Sequence, residues 1–233
     1  MNTTDKNFDK IYPIAHIRTD FTEKFGIPRQ SGRAPALKGK IVFLPEYRNP
    51  DALRGIEDFS HLWLIFDFSL SHREEWLPTV RPPRLGGNKR VGVFASRSPF
   101  RPNPIGLSCV KLEAVEKSEN EGTVLIVSGV DLLDGTPIYD IKPYIPFADC
   151  RTDAVGGYAD EHQGHRLSVD FPAELLALLP KEKQPAAIEC LADDPRPSYQ
   201  SDPERVYSMK FSGFDIDFTV DGEKLAVKRV KRF

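Results

Sequence analysis

Cysteine and long apolar segments are scarce in this sequence. The three cysteines, Cys109, Cys150 and Cys190, are odd in number and far apart, which excludes a disulfide framework and a C-x-x-C redox or zinc motif. The longest apolar run, around residues 62–66, is far too short to span a bilayer. The opening residues, MNTTDKNFDK, have no apolar core of the kind found in a signal peptide. We therefore expect a cytoplasmic protein with reduced thiols and no membrane partner.

Several common catalytic motifs are also missing. The sequence has no G-x-G-x-x-G after a strand, no Walker loop, no G-x-S-x-G elbow and no H-x-E with P-C-x-x-C. Among the five histidines, His162 and His165 come closest to a ligand spacing, and we predict no metal site. An enzyme without these motifs would leave the reactive chemistry to a bound small molecule, while the protein supplied orientation and electrostatics.

Proline and aromatic residues, by contrast, are abundant. The 233-residue chain has 20 prolines, 15 phenylalanines and 7 tyrosines, and long periodic helices are scarce. Short strands separated by turn residues indicate a mainly β fold, a sandwich or a small barrel, over the first 150 residues or so. The predicted strands are 11–18, 40–44, 61–70, 90–95, 107–115, 123–130 and 137–143, and residues 51–59 are predicted to form a short helix.

The pattern changes near residue 150. Residues 172–179 and 184–192 are predicted as two short helices. Alternating apolar residues in 214–220 and 225–230 flank the turn dipeptide Asp221-Gly222, which is typical of a β-hairpin. We place a domain boundary near residue 168 and expect a small α+β domain after it.

Acidic residues are absent between Trp76 and Leu112, although the whole chain has a net charge of −2. The same stretch contains seven basic residues: Arg81, Arg84, Lys89, Arg90, Arg97, Arg101 and Lys111. One interpretation is a solvated face whose acidic partners come from elsewhere in the fold. The other is an anion site, because guanidinium forks suit phosphate and carboxylate and several of them on one face would bind a nucleic-acid backbone.

The segment SRSPFRPNPIG, residues 96–106, combines this charge with rigidity. Its three prolines fix φ at nearly alternate positions, so the loop loses little entropy when a ligand docks. If the segment is extended, Arg97, Arg101 and Asn103 project to one side. Two weaker candidates are DLLDGTPIYDIKPY, residues 131–144, whose alternative is an ordinary hairpin turn, and Pro28-Arg29-Gln30.

Long motifs in the chain resemble the TsaA-like family, which includes S-adenosylmethionine-dependent tRNA methyltransferases. They are EKFGIPRQSG (23–32), RGIEDFSHLWLIFDF (54–68), RLGGNKRVGVFASRSPFRPNPIGL (84–107), DLLDGTPIYDIKPYIPFAD (131–149) and DPRPSYQ (194–200). The resemblance implies a small closed β-barrel over residues 8–168 and a small α+β domain over 169–233. It also implies a homodimer with the cofactor near the subunit interface. The implied reaction methylates N6 of threonylcarbamoyladenosine, next to the anticodon of a threonine tRNA.

The same resemblance assigns site residues by matching motifs. The implied cofactor positions are Pro28, Arg29, Gln30, Ser69, Leu70, Arg97, Leu107, Leu133, Asp134, Gly135 and Thr136. Many relatives have histidine where this chain has Ser69, and the nearest histidine here is His72. For RNA binding we name Arg84, Lys89, Arg90, Arg101 and Asn103.

The catalytic residues are less defined. Arg97 or Arg101 would favour a developing anion on the urea-like group, and the candidates for a catalytic role are Arg101, Asp134 and Tyr144. The alternative function is a non-catalytic RNA-binding module that uses the basic stretch from Arg81 to Lys111. Binding of S-adenosylmethionine discriminates between the two, because a pure RNA-binding module would ignore it.

Overall fold

The computed structural model describes residues 10–82, 89–162, 164–197, 200 and 202–233, and its regular structure is mainly β. The strands are β1 (Ala15–Arg18), β2 (Lys38–Phe43), β3 (His61–Asp67), β4 (Thr79–Val80), β5 (Val91–Gly92), β6 (Ile105–Ser118), β7 (Gly122–Ser128), β8 (Pro137–Pro143), β9 (Ser168–Asp170), β10 (Tyr207–Phe211), β11 (Phe214–Asp221) and β12 (Lys224–Arg232). The α-helices are α1 (Pro146–Asp149), α2 (Ala173–Leu176) and α3 (Gln184–Ala192). The mainly β class expected from the sequence is confirmed.

Six strands form a closed barrel in the order β1-β2-β7-β6-β3-β8. The ring closes because β8 pairs antiparallel with both β3 and β1. Side chains that alternate along these strands fill the interior, and Ile17, Ile41, Leu64, Leu125 and Ile138 are completely buried. Each fully buried side chain of this size contributes about 1.5–3 kcal/mol relative to an exposed one.

A second sheet has the order β10-β11-β12-β9. Its hairpin turns at Asp221-Gly222 as predicted, and Gly222 has the positive φ that this turn requires. β9 pairs parallel with β12, and α2 and α3 lie between β9 and β10 in the chain. α3 buries Ala187, Cys190 and Leu191 on one face, as expected for a helix that covers a sheet.

The barrel and the second sheet share one hydrophobic core. Phe21, in the loop after β1, contacts Phe211 of β10 edge to face, with ring centroids 5.4 Å apart. Gly26 lies so close to Met209 that any side chain there would collide with it. Each sheet therefore shields apolar side chains of the other sheet from solvent. The strand that opens the second sheet begins at Ser168, beside the expected boundary.

Several sequence predictions differ from the structure. The predicted strand 61–70 ends at Asp67, and the predicted helix 172–179 is only the short α2. Residues 51–59 form two 3₁₀ turns, Pro50–Leu53 and Ile56–Asp58, because Gly55 adopts a left-handed conformation that interrupts a helix. The predicted strand 90–95 pairs only at β5 and continues as the 3₁₀ turn Val93–Ala95. The predicted strand 11–18 begins at Ala15.

In the part of the chain described here, no helix has the length and apolar character needed to cross a membrane.

Candidate active site

An open pocket of about 620 Å³ lies at one end of the barrel. Four segments form it: the loop after β1, the end of β3 with the residues that follow, the loop before β6, and the turn before β8. Antiparallel pairing brings the ends of β1 and β3 beside the beginnings of β8 and β6. The closed strand order therefore explains why segments distant in sequence share one concave surface. The volume is in the range of pockets that hold a small molecule.

Most of the predicted cofactor residues line this pocket. Nine of the eleven do so, namely Pro28, Arg29, Gln30, Ser69, Leu70, Arg97, Leu107, Leu133 and Thr136, whereas Asp134 and Gly135 are outside the lining. Arg101 and Asn103, predicted to bind RNA, also line it. Residues from three separate motifs, together with two that follow a fourth, are thus neighbours in space.

The proline-rich loop reaches the pocket through a series of tight turns, and it is not extended. The backbone N–H of Phe100 donates to Ser98 Oγ at 3.2 Å, and that of Arg101 donates to the carbonyl of Pro99 at 3.0 Å. The Arg101 guanidinium returns to the carbonyl of Ser96 at 3.1 Å and holds the loop closed. Arg101 and Asn103 therefore both line the pocket because these turns fold the loop, and not because they are evenly spaced on an extended strand.

Arg97 and Arg29 are tied into the wall by different partners. Arg97 Nη1 donates to Gln30 Oε1 at 2.6 Å, which connects the proline-rich loop to the loop after β1. The Arg29 guanidinium donates to the carbonyls of Asp194 and Arg196, at 3.2 and 2.6 Å. Arg29 therefore connects the pocket wall to the C-terminal part of the chain, whereas Arg97 connects two loops of the wall.

The turn before β8 is held by its own hydrogen bonds. Thr136 Oγ1 donates to the carbonyl of Leu133 at 2.8 Å, and Gly135 supplies a positive φ. Asp134 Oδ1 accepts from the backbone N–H of Thr19 at 3.0 Å, and its other oxygen is 3.7 Å from Arg18. These contacts give Asp134 a structural role at the edge of β1, so its position does not favour the predicted catalytic one.

Tyr144, predicted as a catalytic candidate, lies away from the pocket lining. Its backbone N–H donates to the carbonyl of His61, and its ring contacts Trp63 at a centroid distance of 5.8 Å. His61 begins β3 and Asp67 ends it at the pocket, so the length of the strand, about 20 Å, separates Tyr144 from the site. Burial also raises the pKa of the Tyr144 hydroxyl, which makes it a poor base at neutral pH.

The residues predicted to bind RNA are divided between two places. Lys89 and Arg90 are exposed beside β5, on the two-stranded ribbon that β5 forms with β4, and outside the pocket lining. Arg90 Nη1 donates to Thr79 Oγ1 across the ribbon at 3.5 Å. Arg84 lies outside the described residues. The ribbon is thus a basic surface separate from the pocket that Arg101 and Asn103 line.

Comparisons with known proteins decide the family. The profile of the tRNA-methyltransferase O N-terminal domain matches residues 16–150, and that of the TrmO C-terminal domain matches residues 164–233. The chain is 43% identical, over 89% of its length and 91% of the other's, to a protein named tRNA (adenine(37)-N6)-methyltransferase from Escherichia coli K12. The chain belongs to the tRNA-methyltransferase O family. The family predicted from the motifs is therefore confirmed.

Two further relatives support membership of the tRNA-methyltransferase O family. A putative S-adenosylmethionine-dependent methyltransferase, RcsF, from Pseudomonas aeruginosa is 43% identical, with 88% of this chain and 90% of that protein covered. The crystal structure of TrmO from the same species superposes with a TM-score of 0.78 at 35% identity, covering 99% of this chain and 100% of that one. The agreement extends over both sheets.

S-adenosylmethionine, the cofactor that family names carry, fits the chemistry of this pocket. Arg97 offers a guanidinium for the carboxylate of the methionine part. Asp67 and Asp131 offer carboxylates to a ligand that also has a positive sulfonium and ammonium. Ile27, Leu70 and other apolar side chains provide a surface for the adenine ring. The tRNA-methyltransferase O pocket thus has a partner for each part of the cofactor.

Sequence reasoning missed both carboxylates. Asp67 is the single charged residue in the apolar run HLWLIFDFSL, a signal that was available. It is buried, and His72 Nε2 lies 2.7 Å from its Oδ1. Asp131 accepts a hydrogen bond from Ser108 Oγ at 2.6 Å, and burial raises the pKa of its carboxyl to about 6. From the sequence alone, Asp134 is the more obvious candidate of the two aspartates, because a glycine follows it in the turn.

Proposed function

We propose that this chain transfers the methyl group of S-adenosylmethionine to N6 of adenosine 37 in a tRNA. The observation that carries the proposal is the meeting of nine motif-derived positions in one pocket, in a chain 43% identical to a protein of that name. When bound, the cofactor supplies an electrophilic methyl group on sulfur. The protein then has to align the nucleophilic nitrogen with that methyl group and exclude water.

The pocket residues divide these tasks. Arg97, on the proline-rich loop, binds the methionine end of the cofactor, while Gln30 fixes the direction of its guanidinium. Arg101 and Asn103, farther along the same loop, face the base to be methylated. Because tight turns and three prolines hold this loop, these groups are already in position when the substrate arrives.

We propose further that the accepted base carries an N6-threonylcarbamoyl group and that the tRNA is a threonine tRNA. The urea-like N6–H of such a base is more acidic than that of an ordinary aromatic amine, so a mild base can remove it. The Arg101 guanidinium and the Asn103 amide on the pocket wall suit the carboxylate and carbonyl oxygens of the threonylcarbamoyl group.

Mass spectrometry of tRNA nucleosides tests both levels of this proposal. Purified protein with S-adenosylmethionine and threonine tRNA, with or without the threonylcarbamoyl group, should methylate only the modified tRNA. Methylation of both tRNAs would keep the activity and overturn the substrate. No methylation, together with no calorimetric heat for S-adenosylmethionine or its demethylated product, would leave the RNA-binding module as the function.

A homodimer in the cytoplasm is the proposed state of the enzyme, with cofactor pockets near the subunit interface. Large apolar side chains around the pocket support a second copy as the partner. Leu70 and Leu107 of the pocket lining are 62% and 55% exposed, and Phe94, two residues before the lining residue Ser96, is 74% exposed. Light scattering of the eluting protein should give twice the chain mass, and Phe94→Ser should shift it toward the monomer.

The division into residues 8–168 and 169–233 is also proposed. In this division the first part supplies the whole pocket lining. The second part holds the loop after β1 through Arg29 and the shared core.

A further inference from the structure

The pocket contains two carboxylates, Asp67 and Asp131, with different environments. The other ionisable side chains of its lining are cations, namely Lys24, Arg29, Arg97 and Arg101. Methyl transfer to N6 forms a bond from nitrogen to carbon, so the nitrogen must lose its proton. A group that accepts this proton has to line the pocket, be ionised at neutral pH and have a lone pair directed at the substrate.

Asp67 has both carboxylate oxygens close to neighbouring side chains. Both of its oxygens are within 3.0 Å of His72 Nε2, and the Tyr139 hydroxyl also hydrogen-bonds to it. Asp67 is thus bound to a histidine that can carry a positive charge. Its oxygens are therefore already engaged by hydrogen bonds and are less available to accept a proton from a substrate.

Asp131 has neutral hydrogen-bond donors. Ser108 Oγ donates to its Oδ1 at 2.6 Å, and the backbone N–H of Ser31 also donates to it. Burial raises the pKa of the carboxyl to about 6, while Ser108 and the positive charge of Arg97 act in the opposite direction. The group is therefore ionised at neutral pH and is a stronger base than an ordinary aspartate.

Its place in the pocket suits a reaction at the cofactor's methyl group. Ser108, its donor, directly follows Leu107 on β6, and Leu132 and Leu133 directly follow Asp131 itself. Asp131 thus lies between two of the positions that the family motifs assign to the cofactor, and it is not one of them.

We propose that Asp131 is the general base of the methyl transfer. The nitrogen lone pair forms the bond to the methyl carbon, the carbon–sulfur electron pair stays on the sulfur, and the N6 proton goes to the Asp131 carboxylate. Ser108 is a positioning residue that holds this carboxylate and sets its basicity. The inference rests on the proposed tRNA methyltransferase function.

Single-turnover methylation by Asp131→Asn tests the assignment with a side chain of nearly the same shape. General-base catalysis contributes about 10²–10⁴-fold, so the rate at pH 7.5 should fall by about that factor. Affinity for S-adenosylmethionine by calorimetry should fall far less than the rate, and affinity for tRNA by filter binding should not change. A parent enzyme that does not methylate tRNA refutes the proposed function. An active parent with an equally fast Asp131→Asn variant refutes only the base.

The pH dependence separates a base from a structural residue. The parent rate should rise with pH through a single limb no higher than about pH 6 and then stay constant, because the carboxylate must be ionised. Ser108→Ala removes a bond that lowers the pKa of Asp131, so its limb should move to higher pH. If the limb persists in Asp131→Asn and disappears in Asp67→Asn, Asp67 is the base and the proposal is overturned.

Discussion

Arg97 and Arg101 lie four residues apart in one loop, but their guanidinium groups have different partners. Arg97 donates to the side chain of Gln30, on a neighbouring loop, whereas Arg101 donates to the backbone of its own loop. The first arrangement places a cation on the pocket wall, and the second gives the loop its shape. A single substitution at each position should therefore have a different effect.

Arg97→Ala should weaken S-adenosylmethionine binding by about ten- to a hundredfold, because one charge-assisted contact is worth about 1.5–3 kcal/mol. Arg101→Ala should weaken this affinity less than Arg97→Ala does, and it should slow single-turnover methylation of tRNA by a similar factor. Calorimetry and rapid-quench assays on both variants, with Arg97→Lys as a charge-retaining control, measure the two effects. Normal cofactor binding by Arg97→Ala with normal turnover by Arg101→Ala would make the loop a rigid connector only.

Asp194 stabilises the fold in a pH-dependent way. Burial raises the pKa of its carboxyl, but hydrogen bonds from Arg196 and His165 outweigh burial and lower the pKa below the ordinary value. Stability from this group is therefore present above a pH of about 4 and is lost as pH falls through the lowered pKa. The residue has a positive φ of 53°, which asparagine tolerates.

Asp194→Asn should accordingly lower the free energy of unfolding by about 1–3 kcal/mol at pH 7. The difference from the parent should shrink as the pH approaches 3. Urea unfolding at pH 7, 5 and 3 measures it. Asp51→Asn, which removes an exposed ion pair with Arg54, is the control and should change stability much less. An equal loss at all three pH values would show that the charge of Asp194 contributes nothing.

At the scale of elements, the pairing of β3 with β6 determines the floor of the pocket. Gly106 is opposite Phe66 in this pair, and a Cβ at Gly106 would come within 2.2–2.7 Å of three atoms of the Phe66 ring. The ring cannot easily move, because it is buried and packs edge to face against Phe68 at 5.1 Å. The glycine therefore provides room for an aromatic side chain in the pocket floor.

Gly106→Ala should destabilise the protein by about 1–3 kcal/mol through overpacking and should also weaken cofactor binding. Gly92→Ala is the matched control: its φ of −58° suits alanine, and nothing lies within 4 Å of the added carbon. Thermal unfolding with and without S-adenosylmethionine measures both effects. Equal midpoints for the two variants would show that Phe66 adjusts at no cost.

Strand positions could be predicted from the sequence wherever apolar residues alternate between turn residues. The strand Pro137–Pro143 and the helix Gln184–Ala192 coincide with their predictions, and each has a proline at or beside its first residue. The prediction of a helix over residues 51–59 was wrong because Gly55 adopts a left-handed conformation that interrupts the helix. β10 and the parallel partner β9 were missed, because short strands acquire their identity from pairing that sequence patterns do not show.

The candidate site was predictable to the extent that its residues fall in long motifs. Pro28 and Thr136 lie in different motifs, and the motif match assigned both to one ligand. Asp131 was not predicted, because its importance depends on burial and on a hydroxyl from β6. Tyr144 shares a motif with Thr136, but β8 carries it to the far end of the barrel, which the motif alone does not show.

At the scale of the whole molecule, charge is distributed unevenly. The chain is acidic overall, with a net charge of −2, but the segment from Trp76 to Leu112 has basic residues without acidic ones. Binding of tRNA must therefore depend on a local surface, for which the β4–β5 ribbon with Lys89 and Arg90 is the candidate. Each phosphate that a basic side chain neutralises releases counterions, so the affinity should fall steeply with salt.

Replacing Lys89 and Arg90 together by alanine should weaken tRNA binding and reduce the slope of log affinity against log salt by about one for each phosphate no longer neutralised. Cofactor affinity should not change, because neither residue lines the pocket. Lys228→Ala with Lys231→Ala removes the same charge from exposed positions on β12 and serves as the control. Filter binding between about 50 and 200 mM salt measures the slope. Equal slopes for both double variants would make the ribbon a solvated face.

Arg29 is held by backbone carbonyls at residues 194 and 196, more than 160 positions later in the chain. A ribosome adds about 5–20 residues per second, so a growing chain has the loop after β1 for about 8–33 s before its support exists. During that interval the residues of the pocket wall have been synthesised, but the hydrogen bonds that hold Arg29 have not formed. A message cut short before residue 194 should therefore yield a product that does not retain cofactor, and methylation capacity should arise only in chains translated nearly to the end.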